Sequence, residues 1–278
     1  MPTGTAAPHR IANLLPPGPS DMFWVPSQAI ASGFTSEVVE LEAGIGFVNE
    51  LDRMITGLLY VEAGVRAEAD AYSAVFINTI GDYGLRELRS AVSIPVVGAG
   101  EATFQIAAGL ADRFGVLTVW PKSTEPMYRR LLADYGHTAR CVGVRHILRD
   151  EEASSAATGG GFLADMIDLR EEAISRLLRG ALELIDEGAE AIALGCTCMT
   201  HTRQELQDRL GYPVVDPILA GHKTAEMLVT MGLSRRPSQV PSGFVQSIRA
   251  MTAGISSQEA DLDACGDTCS VLASPAPA

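Results

Sequence analysis

The amino-acid sequence predicts an α/β protein built on parallel sheets, and three observations lead there. Short apolar runs alternate with segments of helical length, the arrangement that places helices between parallel strands. The pattern occurs twice. Ala74-Val75-Phe76-Ile77-Asn78-Thr79 lines up with Ala191-Ile192-Ala193-Leu194-Gly195-Cys196, and Pro95-Val96-Val97-Gly98 lines up with Pro213-Val214-Val215-Asp216, with a one-residue difference in spacing. Finally, 47% of the 278 residues are hydrophobic and 20% are charged, enough apolar material for a core over most of the length. That length accommodates two small lobes or one larger domain. If the two repeats face each other, Thr79 and Cys196 stand on opposite walls of one cleft.

The elements follow in order. Ile11 to Leu15 is an apolar run ahead of Pro16-Pro17-Gly18-Pro19, a strand that stops at a rigid turn. Glu37 to Leu41 alternates as a strand does. Phe47, Leu51, Met54, Ile55, Leu58 and Leu59 recur at helical spacing and define a helix running toward Ala69, which delivers the chain to a strand at Ala74–Ile77. A helix over Ala102 to Ala111 precedes a strand over Phe114 to Val119; a helix over Pro126 to Tyr135 and a strand over Arg140 to Val144 come next. Thr158 to Gly161 reads as a flexible break. Leu163, Ile167, Ile174, Leu177, Leu178, Leu182 and Ile185 mark one long amphipathic helix leading to the strand that ends at Cys196. Beyond Gly232 the character changes: Ser234 to Ser242 is basic and Pro-rich, and the final stretch is acidic and rich in small residues. This tail is expected to be helical in part and otherwise poorly ordered, and to be dispensable for chemistry.

Composition narrows the function. A net charge of −13 argues against a nucleic-acid partner, which would select a basic stripe. No run approaches the roughly 18 apolar residues of a membrane span, so no membrane partner is expected. Met1 to Arg10 lacks the charged start and apolar core of a signal peptide, and a soluble cytoplasmic protein is expected. The five cysteines, Cys141, Cys196, Cys198, Cys265 and Cys269, are odd in number and thinly spread, unlike a secreted disulfide framework. Cys196 and Cys198 are too close for the usual zinc pair and no second pair accompanies them, so no metal is expected. Cys265 and Cys269 read as solvent-side thiols.

Ligands of open parallel sheets bind beyond the carboxyl ends of strands. Four such ends are candidates: Asn13, the Asn78–Asp82 turn, the Thr118–Thr124 turn and Gly195–Thr200. Gly195 lets backbone approach a ligand closely. Thr197 and the start of the following helix offer N–H and hydroxyl donors to an anion. A cysteine at a helix N-terminus tends toward a lowered pKa, which suits Cys196 as a base or nucleophile. A carbonyl or carboxylate held by such donors, with a thiolate beside its α-carbon, is a device for moving a proton.

Gly195-Cys196-Thr197 after Ala191-Ile192-Ala193-Leu194 resembles the second-cysteine motif of the aspartate/glutamate/hydantoin racemase superfamily. Thr79-Ile80-Gly81-Asp82-Tyr83-Gly84-Leu85 is similar to the hydantoin-racemase branch, in which a Cys begins such a turn. Pro95-Val96-Val97-Gly98-Ala99-Gly100-Glu101-Ala102 and Val214-Val215-Asp216-Pro217 also look like that branch, and the resemblance covers roughly Val38 to Leu233. It implies two pseudo-symmetric lobes, each a short parallel sheet flanked by helices, with the active site between them. It also implies proton transfer without any cofactor, a small carboxylate or imide substrate, and a homo-oligomer. The expected division is a disordered N-terminus at 1–9, a first lobe of 10–99 plus 213–235, a second lobe of 100–212 and a tail at 236–278.

The chain departs from the pattern in two places. Thr79 stands where typical members carry the first of two cysteines, and a threonine hydroxyl is far too weak an acid to serve as a free base near neutral pH. Asn13-Leu14-Leu15-Pro16-Pro17 replaces the usual Asn-Pro-Asn-Thr turn. The resemblance therefore supports a racemase or isomerase with Cys196 as principal acid/base, and leaves open a single-cysteine decarboxylase or lyase of a malonate-like acid. A ligand-binding homologue without turnover is a third reading. Asn13, Asn78, Thr118, Gly195 and Thr197 are the expected substrate-binding residues. Thr79 is the second candidate catalytic residue beside Cys196, and is expected to act by holding substrate or a water where a thiol would stand.

Ile80, Lys122, Cys198 and His201 are secondary candidates. The last three have plainer roles available: Lys122 as a solvated turn lysine, Cys198 as helix packing, His201 as a cap or as a tuner of the thiolate. Asp82 is expected to hold its own turn. Gly98-Ala99-Gly100 suggests a dinucleotide fingerprint, but Thr103 takes the third glycine's place and no strand-end acid follows.

Overall fold

A computed structural model of the chain describes residues 7–17, 23–43, 50–152, 161–234, 236 and 246–253. Strands β1 (His9–Leu15), β2 (Phe34–Glu40), β3 (Ala74–Ile77) and β4 (Val96–Gly98) form one parallel sheet in the order β2-β1-β3-β4. Strands β5 (Phe114–Thr118), β6 (Cys141–His146), β7 (Ala191–Leu194) and β8 (Val214–Val215) form a second in the order β6-β5-β7-β8. The two permutations are the same, so the repeat read in the sequence is a repeat of topology. β3 and β7 are equivalent strands.

The helices are α1 (Glu50–Ala69), α2 (Leu85–Ala91), α3 (Ala99–Leu110), α4 (Glu125–Asp134), α5 (Phe162–Ile167), α6 (Glu171–Asp186), α7 (Arg203–Leu210) and α8 (Pro217–Thr230). Parallel strands are covered on both faces, which is why Ala74–Ile77 and Ala191–Leu194 are apolar throughout and wholly buried. Alternate residues serve different layers. Phe76 and Val97 of the first sheet share a central core with Phe114, Val116 and Ala193 of the second, with Phe104 of α3 and Ile218 of α8 between them. Val75 and Ile77 face the opposite way, onto Leu59 and Tyr60 of α1 and Leu88 of α2. Ile192, Leu194 and Leu117 likewise pack on Ile174, Leu177 and Leu184 of α6.

The structure departs from the sequence expectations at identifiable points. The boundary placed at residue 213 falls one strand early. Val214–Val215 pairs with β7 in the second sheet, and only the following helix α8 packs on β1, β3 and β4 of the first. The opposite exchange occurs at α3, which follows β4 yet packs against β7, β8 and α8. The single long helix over Leu163 to Ile185 is two helices, α5 and α6. Leu169 takes a left-handed φ of 53°, and the Leu169 and Arg170 N–H groups turn back to the carbonyls of Met166 and Asp165. His9, placed in a disordered N-terminus, begins β1, and its N–H donates to the Gly33 carbonyl.

Residues 246–253 of the tail are helical, with Ile248 packed into the outer core of the first lobe. Residues 1–6, the start of the first helix at Phe47, most of the break at Thr158 to Gly161, and Cys265 and Cys269 lie outside the described residues.

Candidate active site

The candidate site residues stand mainly at the carboxyl ends of β3 and β7. In the second lobe, the Gly195 N–H continues the sheet ladder to the Leu117 carbonyl at 2.7 Å. The Gly195 carbonyl accepts a hydrogen bond from the Tyr128 hydroxyl at 2.8 Å. That hydroxyl also pairs with Thr118 Oγ1 at 2.7 Å, and Thr118 Oγ1 accepts the Trp120 N–H at 3.2 Å. The Gly195 peptide is thus tied to the neighbouring strand end on both sides, which fixes the direction in which Cys196 leaves the sheet.

Cys196 is extended, with φ −149° and ψ 140°, and caps a 3-10 turn over Thr197–Thr202; its Sγ accepts the Cys198 N–H at 3.3 Å. Hydrogen bonding by Cys198 and Trp120 outweighs burial and holds the Cys196 thiol below its ordinary value. Cys198 moves the other way: burial and the neighbouring Cys196 push it well above. A buried, donor-stabilised sulfur at a strand end is equipped to accept a proton from carbon and return it.

In the first lobe, Asn13 and Asn78 are both buried, and their side-chain amides converge on one acceptor. Asn13 Nδ2 and Asn78 Nδ2 donate to the Phe23 carbonyl at 3.4 and 2.8 Å. The Oδ1 atom of each is buried and unpartnered among the described residues. Thr79 follows, half-buried, with its N–H turned to the Ile77 carbonyl. The turn that carries Thr79 approaches the second lobe: the Tyr83 hydroxyl donates to Met127 Sδ of α4 at 3.4 Å, and Tyr83 lies within electrostatic reach of Cys196.

The structure sorts the remaining candidates. Thr118 is fully buried and its hydroxyl is engaged by Tyr128 and Trp120, so it orders the Gly195 peptide rather than presenting a free ligand. Thr197 and Cys198 are buried on the turn after Cys196, and His201 is half-buried at its far end. Ile80 packs into the central core. Lys122 is 74% exposed and paired with Glu125. It borders a surface depression of about 450 Å³ with His146, Leu148 and Arg149 that does not include Cys196.

Asp82 does more than hold its own turn. Its carboxylate accepts the Gly100 and Glu101 N–H groups at the start of α3, at 2.9 and 2.6 Å, and the Tyr135 hydroxyl at 2.6 Å. A Cβ on Gly98 would stand 2.3 Å from Asp82 Oδ1, so Gly98-Ala99-Gly100 is shaped to admit this carboxylate.

Three contributors lie outside the candidates read from the sequence: Tyr128, Trp120 and Phe23. Each acts through tertiary contact from another element. The one available signal was that a buried Tyr or Trp on an amphipathic segment must find a polar partner.

Two parallel sheets of the same permutation, with Asn78-Thr79 after β3 of one and Gly195-Cys196-Thr197 after β7 of the other, define a two-lobed α/β protein. Residues 43–225 match the model of the Asp/Glu/Hydantoin racemase family, and the chain belongs to that family. A hydantoin racemase of Pseudomonas sp. (strain NS671) is 34% identical over 179 residues, covering 62% of this chain and 64% of that protein. One from Paenarthrobacter aurescens is 28% identical, covering 74% and 83%. The match with the Pseudomonas protein thus spans a little under two thirds of its length. Among solved structures, an allantoin racemase from Klebsiella pneumoniae superposes with a TM-score of 0.72 at 26% identity, covering 86% of this chain and 98% of that one. Arylmalonate decarboxylase shares the fold at 18% identity and a TM-score of 0.51.

Proposed function

We propose that this protein is a cofactor-independent racemase acting at the carbon next to a carbonyl of a hydantoin-like ring, with Cys196 as principal acid/base. The observation that carries the proposal is Cys196 itself: a buried thiol at the end of β7 whose sulfur accepts the Cys198 N–H and whose pKa is held down by donors. In this reading the Cys196 thiolate removes the α-proton. The negative charge that develops on the adjacent carbonyl oxygen is taken up by N–H and hydroxyl donors of the Thr197 turn. The proton returns from the Cys196 thiol on one face, or from a water held by Thr79 on the other, in which case the hydroxide left behind is neutralised by the proton carried on Cys196 and the thiolate is restored. The buried Oδ1 atoms of Asn13 and Asn78 are acceptors in need of donors. Ring N–H groups of a cyclic imide or ureide supply these, whereas a free carboxylate does not. The names of the racemases similar to this chain support the same substrate class.

A second reading, decarboxylation of a substituted malonate, is favoured by Thr79, because protonating an enolate needs one donor only. Proton NMR in deuterated water with hydantoins, allantoin, amino acids and substituted malonates separates the two. Loss of the α-proton signal without loss of carbon supports racemisation, and carbon dioxide release with a deuterated product supports the lyase. Cys196→Ser is expected to lower either activity at least about a thousandfold. Full activity in that variant would remove Cys196 from the chemistry. Silence of the wild-type chain across the panel would point to a binding protein.

A further inference from the structure

β1 and β3 are neighbours, and alternation along each strand decides where its side chains go. Ile11 of β1 and Phe76 of β3 face the central core, so Asn13 and Asn78, each two residues further on, take that same side. Both are nearly sealed, at 1% and 2% exposure. The acceptor they share is main chain, in the connection from β1 to β2. The Phe23 carbonyl takes Asn78 Nδ2 at 2.8 Å and Asn13 Nδ2 at 3.4 Å. A carbonyl can only accept, so this contact decides which way round each amide stands, with the NH2 ends on Phe23 and the oxygen ends turned from it. Neither Oδ1 has a partner among the described residues. Leaving a buried acceptor unmet is costly, and a ligand N–H removes that cost.

The segment that carries Phe23 is fastened at several points. The Phe23 ring packs against both the central core and the apolar cluster of the second lobe, and Val25 is buried in the central core. The Ala31 N–H donates to Glu226 Oε1 of α8 at 2.8 Å. We propose that Phe23 is a specificity-determining residue: its anchored carbonyl holds Asn13 and Asn78 with their oxygens toward the ligand, so that the site selects a cyclic ureide with free ring N–H groups and rejects a carboxylate. The discrimination lies in the two side-chain amides, and Phe23 fixes their sense. This rests on the reading of these strand ends as the substrate site, and is independent of the chemistry that Cys196 performs there. A carboxylate would set oxygen against oxygen. A ring methylated at nitrogen would put a methyl group where a hydrogen is required.

Calorimetric titration of the full chain tests this by binding rather than turnover. The probes are unsubstituted hydantoin, hydantoin methylated at both ring nitrogens, and malonate. Unsubstituted hydantoin has no stereocentre, so its binding is read without net reaction. It is expected to bind at least about tenfold more tightly than either of the others, the loss that follows when a buried acceptor goes unmet. Phe23→Gly removes the ring that anchors the carbonyl and frees both amides to turn. Its preference for hydantoin over the other two is expected to fall at least about fivefold, and Phe23→Leu, which keeps an apolar anchor, to restore it. Unchanged ratios in Phe23→Gly would show a preference set by bulk or charge alone and would overturn the proposal.

Should Phe23→Gly fail to fold, the wild-type series decides. Equal binding of the three probes, or no binding of hydantoin, would overturn the proposal. The expected preference together with silence in the NMR assay would leave the acceptor pair standing and remove the racemase reading alone. Exchange of the α-proton of chiral hydantoins with no preference for free ring N–H groups would do the reverse.

Discussion

At Gly195 an added Cβ would stand 2.7 Å from Thr118 Cβ, 3.1 Å from Val116 Cγ1 and 3.2 Å from the Leu117 carbonyl. The last two belong to the body of β5, so little can give way, and the peptide itself must move. Gly195→Ala is therefore expected to lose about 1–3 kcal/mol of stability, seen as a lower urea midpoint. It is also expected to lose more in kcat than in KM, because displacing the Gly195 peptide swings Cys196 off its line. A variant with wild-type kcat and midpoint would mean that the strand end is looser than its contacts imply. The positions of Gly195, Cys196 and Thr79 just past strand ends were legible, since apolar runs show where strands stop and the repeat set their register. It did not show that Thr118 would spend its hydroxyl on Tyr128. That partnership depends on how α4 lies across β5, and no local pattern encodes it.

Elements whose limits follow from hydrophobic period were well anticipated, and those set by backbone turns or distant packing were not. The apolar spacing of Leu163, Ile167, Ile174 and Leu177 is continuous through the turn at Asp168–Arg170, because α5 and α6 present apolar faces to the same outer core. Period alone could not reveal the left-handed Leu169. The tail shows the same limit. Its helix at 246–253 buries Ile248, and Arg249 reaches the buried Glu62 of α1 at 3.2 Å. Deleting the chain from residue 237 onward is accordingly expected to spare turnover and to lower stability by roughly 2 kcal/mol, the burial of one large aliphatic side chain. Ile248→Ala should reproduce most of that loss in a thermal melt. If neither change moves the melting temperature, the 246–253 helix contributes nothing to the first lobe.

At the scale of the molecule, the two lobes are interlocked by the exchange of α3 and α8, and Asp82 is the polar junction of that exchange. It sits in the turn after β3, has a left-handed φ of 48°, and gathers the start of α3 and the Tyr135 hydroxyl beyond the end of α4. Burial outweighs these three donors and pushes its carboxyl from 3.8 up to about 7. Between those two values the folded chain retains a proton that the unfolded chain has released. The folded state binds more protons there, so this group's contribution makes stability fall as pH rises through the window and level off above about 7. The accumulated loss is on the order of 2–4 kcal/mol.

Asp82→Asn cannot ionise, and its amide turns an N–H toward backbone donors. It is expected to be less stable than wild type by about 1–3 kcal/mol at pH 4, through one unsatisfied buried donor. The difference should shrink as pH rises and close or change sign near pH 7 and above, because the wild-type chain alone carries the titration. Urea unfolding of both proteins at intervals from pH 4 to pH 8 measures this directly. Parallel stability profiles would show that Asp82 keeps one protonation state across the range and that the junction between the lobes is insensitive to pH.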